Sequence, residues 1–284
     1  MFRPIIIATF GAFIFLLLGC ANASQGQSTC VSCHQGLEPA SATHKFCVDC
    51  HGGDSKSEDK DVSHRTMYGP KNPSDPKFWE HTCGKCHPYH LQRVRANIMH
   101  TNTGMIKNIQ KTWEGEDGKL YSTRPAKVFS ESGRPLELKD VSQLNHLSGE
   151  LYRKFCSRCH VGREDNQKYA ANHASGCAAC HFPYNDTATY QGNDLTVKGK
   201  RPYSANHQLA ALPGNDVCLR CHNRSGRMAL TYQGLYDGNN CLVPTRNGLP
   251  GPRMMSGARN ITYITEDIHF ARGMDCIDCH TSRD

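Results

Sequence analysis

Apolar positions gather in few places along this chain, and each gathering predicts one element. Ile5–Leu18 is an uncharged, apolar run behind a single charge, Arg3. Its fourteen residues are too few for a spanning helix and suit the apolar segment of an export signal. No second apolar run of spanning length follows. Leu91, Val94 and Ile98 recur at i, i+3 and i+7, which predicts a helix from Pro88 to about Thr101, broken at Gly104 and resumed through Ile109. Leu147, Leu151 and Phe155 fall on one face and predict a second helix over Ser148–His160. Between the two, Glu114–Asp140 has Asp117-Gly118 as a turn signal and Tyr121 and Val128-Phe129 as strand residues, so it reads as a small hairpin insertion. Tyr184–Asp216 and Arg224–Thr265 are rich in Gly, Pro and Asn and read as long loops with a few strand residues, Ile261–Ile264. The expected fold class is mainly irregular, with short α-helices and minimal β.

Composition makes that pattern harder to stabilise. Hydrophobic residues are 38% of the 284, mean hydropathy is -0.59, and there are 16 Cys, 16 His and only two Trp. If most of the Cys are chemically committed, the true core formers fall to about a third of the chain, too few for an ordinary core of this size. Disorder is no better an answer, because charged residues are 21% and the net charge is a modest +7. Something other than side chains is expected to fill the interior.

The cysteines say what. Fourteen of the 16 fall in seven copies of C-x-x-C-H. These are Cys30/Cys33/His34, Cys47/Cys50/His51, Cys83/Cys86/His87, Cys156/Cys159/His160, Cys177/Cys180/His181, Cys218/Cys221/His222 and Cys276/Cys279/His280. The intervening residues share nothing between copies. Positions i, i+3 and i+4 of a helical turn lie on one face, so two thiols can form thioethers to the vinyl groups of one haem while the adjacent imidazole meets its iron. Zinc ribbons use two C-x-x-C knuckles per metal, which seven knuckles cannot supply evenly, and zinc does not require a His after each second Cys. Thioredoxin-like sites occur singly on a βαβ scaffold, and a disulfide framework leaves the His unexplained.

On these motifs, residues 30–280 resemble the multihaem c-type cytochromes, here in a heptahaem form. The export signal, Cys20 and the final stretch His269-Phe-Ala-Arg-Gly-Met-Asp-Cys276-Ile-Asp-Cys279-His280 look like the periplasmic or outer-surface cytochromes of metal-respiring bacteria. The resemblance implies a fold organised around stacked haems, seven covalent haem c groups and a role in anaerobic respiration. No motif ends in Lys, so the C-x-x-C-K haem of pentahaem nitrite reductases is absent.

Seven His are proximal in this scheme. Nine remain as distal candidates: His44, His64, His81, His90, His100, His146, His173, His207 and His269. Motifs two to seven each have a leading His within eleven residues: His44, His81, His146, His173, His207 and His269 in turn. The first motif has none, and His64, His90 and His100 are its spare candidates. A leading His need not serve its own motif, so none is assigned. Met67, Met99, Met105, Met228, Met254, Met255 and Met274 are competing axial ligands that would raise the potential, but with enough His present they are expected to pack against porphyrin.

The motif spacings, 17, 36, 73, 21, 41 and 58 residues between first cysteines, are too irregular for a repeat array. Motifs one and two, and four and five, form tight pairs whose haems must be close. The organisation read from this is a signal over 1–23, a three-haem region over 24–110, an inserted segment over 111–145 and a four-haem region over 146–284. The signal ends in one of three ways. Leu17-Leu18-Gly19-Cys20 resembles a lipobox that would anchor Cys20 by lipid, Ala21-Asn22-Ala23 is a cleavage site that would release a soluble protein, and an uncleaved anchor is the third. All export the chain to the periplasm, the outer membrane or the cell surface. Cys241 lies outside every motif, buried as a small apolar residue or free for dimerisation. Lys198-Gly-Lys200-Arg201 reads as a solvated basic loop or as a docking patch for an acidic partner. Only four residues follow His280. Since relatives with such a final motif continue into further haem sites, the chain is either a fragment of a longer cytochrome or ends in an exposed haem.

Three functions fit. The first is single-electron transfer by a carrier with no catalytic residues, between quinol-oxidising or periplasmic cytochromes and an outer-membrane conduit or terminal acceptor. Bis-His ligation would leave no open iron position and favour low potentials. The second is a reductase of a small nitrogen or sulfur oxyanion with one open-site haem, for which the first motif is the candidate. The third is a subunit of a conducting filament of stacked chains. Fourteen propionates would outweigh the +7 of the polypeptide in the reduced state, so nucleic acid is not an expected partner.

Overall fold

Helices of four or five residues set the character of this structure, a computed structural model. It describes residues 28–280 apart from 70–71, 114–117, 124–125, 131, 158–160, 163–172, 186, 224–227, 238–244, 247–248, 251–252 and 255–258. The signal segment, Cys20, Cys241 and Met255 therefore lie outside the described residues, as do Cys159 and His160 of the fourth motif. Most of the chain is irregular. The short helices include Cys30–Cys33, Cys47–His51, Lys60–His64, Cys83–Cys86, Ala178–His181, Asn215–Leu219 and Cys276–Cys279, so the described motifs sit on single helical turns. Among the described residues only Pro88–Ala96 and Thr103–Trp113 run longer. Among the described residues no helix is long and apolar enough to cross a membrane.

The helix predicted over Pro88–Thr101 is two helices. Asn97 is extended (φ -68°, ψ 146°), and its side chain accepts from the N–H of Met99, so one residue ends Pro88–Ala96 and caps Ile98–Thr101. The next break falls at Asn102, not Gly104. Asn102 takes the left-handed conformation (φ 54°), which Asn tolerates, and its side chain donates to the Tyr152 hydroxyl at 2.8 Å. Gly104 lies inside Thr103–Trp113. The predicted helix Ser148–His160 is also corrected. It starts as Leu147–Leu151 and widens into a π turn over Tyr152–Cys156, which rotates the following residues off the expected face. Leu147, ahead of that turn, is exposed, and Tyr152 carries the packing.

The inserted segment forms a three-stranded sheet. Ala126–Phe129 and Pro135–Asp140 make an antiparallel hairpin closed by Ser130–Arg134, and Leu120–Ser122 pairs parallel with the other edge of Pro135–Asp140. The hairpin turn thus lies beyond Asp117-Gly118. Farther on, Arg259–Tyr263 pairs with Leu235–Asp237 and Arg253–Met254, and Thr245–Arg246 pairs with Leu249–Pro250. That is more strand than the Ile261–Ile264 expected there, because strands of two or three residues are too short to show alternation.

The apolar interior is divided. Ile106, Tyr121, Val141, Leu144 and Tyr152 form one cluster under the inserted sheet. Leu219, Leu230 and Leu235 form a second, and Ala174, Ala178, Tyr184 and Ala188 a third. Large side chains such as Phe46, Ile98, Leu195 and Leu212 remain exposed. Polar ties join distant segments. Asn72 and Ser74 hydrogen-bond Ser175 at 2.9–3.2 Å, and the Ser74 hydroxyl accepts from the N–H of Ala178 at 2.8 Å.

Gly176 makes the tie before motif five possible. It sits at φ +66°, and a β-carbon there would collide with the Ser74 carbonyl oxygen. Gly176→Ala is expected to cost about 2–5 kcal/mol from left-handed strain and overpacking together. Gly104→Ala, at an exposed position of Thr103–Trp113 with open space around it, should instead stabilise by about 1 kcal/mol. Denaturant titration of the two variants against the parent checks both signs.

Candidate functional site

In five described motifs the His N–H closes the turn onto the carbonyl of the first Cys. The bonds are His34 to Cys30 (2.9 Å), His87 to Cys83 (2.9 Å), His181 to Cys177 (3.0 Å), His222 to Cys218 (2.9 Å) and His280 to Cys276 (2.8 Å). Motif two lies wholly inside the helix Cys47–His51. Each turn therefore directs two thiols and an imidazole from one short helical surface. None of the described motif cysteines is in a disulfide.

Three of the motif imidazoles lie close to a second His from elsewhere in the chain. Ring centres are 6.2 Å apart for His34 and His64, 6.0 Å for His44 and His87, and 6.1 Å for His51 and His207. Two imidazoles bound end-on to one metal at about 2.0 Å each, with about 1.1 Å from nitrogen to ring centre, would be separated by about 6.2 Å. His90 also lies 5.9 Å from His87, but it follows three residues on along the same helical surface, whereas an axial pair must approach from opposite sides.

Ring hydrogen bonds decide which nitrogen is available. Nδ1 of His64 meets the Lys60 carbonyl (2.6 Å), and Nδ1 of His207 the Glu38 carbonyl (2.9 Å). Nδ1 of His173 meets the Ala174 carbonyl (2.7 Å), and Nδ1 of His181 the Ala210 carbonyl (2.8 Å). A carbonyl only accepts, so these Nδ1 atoms carry hydrogen and leave the lone pair on Nε2, as a metal ligand requires. His44 Nδ1 is held by the Ser41 hydroxyl at 2.8 Å. His51 differs. Its Nδ1 is buried with no hydrogen-bond partner, and burial, with His207 and His34 beside it, lowers its pKa to about 4.

His34 also differs, for the opposite reason. Its Nδ1 lies 2.7 Å from Oδ2 of Asp194, whose side chain is 1% exposed. Thr196 donates to the other oxygen, Oδ1, from both its N–H and its hydroxyl, each at 2.8 Å. Burial pushes the Asp194 carboxyl up, but the hydrogen bonds from His34 and Thr196 outweigh it and hold the group below the ordinary carboxylate range. Asp194 sits in a loop anchored to the segment after motif one. Tyr190 donates to Glu38 at 2.7 Å, and the N–H of Asn193 donates to Glu38 at 3.0 Å.

The remaining distal candidates are placed less symmetrically. His173 is buried at motif six, its Nε2 3.8 Å from the Sγ of Cys221. His81 stacks on Tyr68 at 5.4 Å, and His100 is buried against Trp79 at 5.2 Å. His146 lines an open cleft of about 570 Å³ with Asn145, Leu147, Glu150 and Arg153. His269 is exposed and tied to Asp267 at 2.9 Å. The Lys198–Arg201 cluster is an exposed turn.

The thiols connect motifs into a series. Burial and then the neighbouring Cys30 raise the Cys47 thiol pKa. Burial and then Cys83 push Cys50 up to about 11, with Asp49 and Cys86 adding to it. Cys83 and Cys177 share a hydrogen bond that, followed by burial, drives Cys177 far upward. Burial raises Cys218, and Cys276 and Cys180 both lie close enough to add to it. Among the described motifs, one therefore neighbours two, two neighbours three, three neighbours five, five neighbours six and six neighbours seven. Motif four is represented only by Cys156, beside the Ile106 cluster.

The donor set suits a tetrapyrrole, which supplies four equatorial nitrogens and needs only two axial imidazoles and two thiol anchors. Among the described residues there is no group of three or more His, Cys, Asp or Glu side chains that could hold a bare metal ion. No protein-family model matches this chain, and no curated protein or solved structure matches it significantly. Sequence reasoning missed Asp194, Thr196 and Glu38. Asn193-Asp-Leu-Thr196 looks like any polar turn until the fold brings His34 to it.

Proposed function

We propose that this chain is an exported electron carrier holding seven covalent c-type haems with bis-His ligation, passing single electrons between a periplasmic or membrane donor and an outer acceptor. The observation that carries the reading is the closeness of C-x-x-C-H turns among the described residues, where motifs one, two, three, five, six and seven each have another motif's thiol beside them. Haem, when attached, supplies a one-electron Fe(III)/Fe(II) couple. The polypeptide's part is anchorage, ligation and spacing. Each Cys pair would fix one group to one turn, and short contacts between turns would fix the gaps an electron crosses. His34 with His64, His44 with His87, and His51 with His207 would hold irons from both sides. Nδ1 hydrogen bonds hold the rings of His34, His44, His64 and His207 so that little reorganises there when charge changes.

A reductase needs one axial position open to substrate. Motif one was the candidate for it, having no leading His, and His64 stands opposite His34. The carrier reading is therefore favoured. EPR of the oxidised protein tests it. Low-spin signals integrating to seven haems are expected, and a stoichiometric high-spin haem in the native protein would overturn the carrier reading. His64→Ala should convert one of the seven to high spin and leave six unchanged. If the spectrum of that variant matches the parent, His64 is not the axial partner of His34.

A further inference from the structure

We propose that Asp194 is the residue that sets the potential of the haem at motif one, holding it below that of the haem at motif two. The inference rests on the carrier reading above and adds an ordering that the motifs themselves do not contain.

The two neighbouring sites have opposite surroundings on the far side of the proximal ring. At motif one, His34 Nδ1 meets a buried carboxylate at 2.7 Å. At motif two, His51 Nδ1 is buried and meets no acceptor among the described residues. A carboxylate accepting from Nδ1–H draws the proton toward itself, makes the imidazole a stronger donor through Nε2, and favours the ferric state. The negative charge acts in the same direction, since it opposes arrival of an electron at a nearby iron and is poorly screened where the side chain is 1% exposed. His51 gains neither effect. His64, His173, His181 and His207 lean on neutral backbone carbonyls, a weaker pull than a carboxylate. His269 also meets a carboxylate, Asp267, but both side chains there are solvent-exposed, 65% and 44%, so water screens the charge.

The carboxylate is built in, not incidental. Its Oδ1 is saturated by the backbone and side chain of Thr196, which leaves Oδ2 directed at His34. The Thr196 hydroxyl also lies 2.9 Å from His34 Nδ1. It therefore competes for the ring hydrogen while drawing electron density from the carboxylate. Removing Asp194 and removing the Thr196 hydroxyl should then move the same couple in opposite directions, which a general loosening of the loop would not do.

The test is a spectroelectrochemical titration of the haem-loaded full chain and three variants, with haem counted by intact mass in each. Asp194→Asn should raise one couple out of the set by about tenfold in its reduction equilibrium, about 59 mV for one electron, and leave the rest in place. Asp194→Glu should return that couple toward the parent value. Thr196→Val, which keeps the carboxylate, should lower it, and this variant serves if Asp194→Asn does not accumulate. The EPR g-values of one low-spin haem should move with the potential. A titration of Asp194→Asn superimposable on the parent, or a Thr196→Val shift in the same direction as Asp194→Asn, would overturn the proposal. A parent protein without covalent haem would instead overturn the carrier reading on which it rests.

Discussion

Produced in cells that cannot attach haem, the chain is expected to show no cooperative unfolding transition. Its helices are mostly single turns of four or five residues, whereas an isolated helix is only marginal in water even at about 12–15 residues. Its apolar residues are split among clusters of three to five, with Phe46, Ile98, Leu195 and Leu212 left in solvent. Ordering the backbone costs about 1–2 kcal/mol per residue, and clusters of this size cannot offset that over more than 200 residues. Covalent porphyrin would supply apolar surface for the turns to pack on and would restrict the unfolded chain at seven points. The exception is the region around Ile106, Tyr121 and Tyr152, where a helix of eleven residues packs on a sheet, and residual structure should be confined there. Thermal melts followed by far-UV circular dichroism, with amide exchange by residue, check this. Strong protection at the C-x-x-C-H turns of the haem-free chain would contradict it.

Removing the middle anchorage should break the series. Cys177 lies against Cys83 of motif three, and Cys180 lies near Cys218 of motif six, so among the described motifs motif five joins the two ends. The double variant Cys177→Ser/Cys180→Ser is expected to carry six haems. Among the five remaining motifs that the structure describes in full, flash-initiated reduction should then show two separate phases, one for motifs one to three and one for six and seven, in place of rapid redistribution over all five. The same double substitution at the terminal motif, Cys276 and Cys279, should lose one haem and keep single-phase redistribution among the rest. Equal kinetics in the two variants would mean that the order in space is not the order of transfer.

The site was half legible in the sequence, and the division has a physical cause. Attachment turns are local objects: i, i+3 and i+4 on one turn fix the positions of two thiols and an imidazole whatever the rest of the chain does. Distal partners are not local. His44 precedes motif two but faces His87 of motif three, and His207 precedes motif six but faces His51 of motif two. Asp194 reaches His34 across a separation of 160 residues. Proximity in sequence says nothing about such pairs. The coarse architecture, mostly irregular with short helices, followed from the sparse apolar pattern. Helix ends did not, because Asn97 and Asn102 act through a cap and a left-handed turn that hydrophobic spacing does not register. The third strand of the inserted sheet escaped notice because Leu120–Ser122 is three residues long and pairs parallel to its partner.

The central claim, covalent haem at every C-x-x-C-H turn, is tested most directly by the intact mass of the exported chain under denaturing conditions. The account predicts the mass of the processed polypeptide plus seven haems, with seven haems also found by pyridine haemochrome. A mass equal to the polypeptide alone, or a count well below seven in fully matured protein, would contradict it.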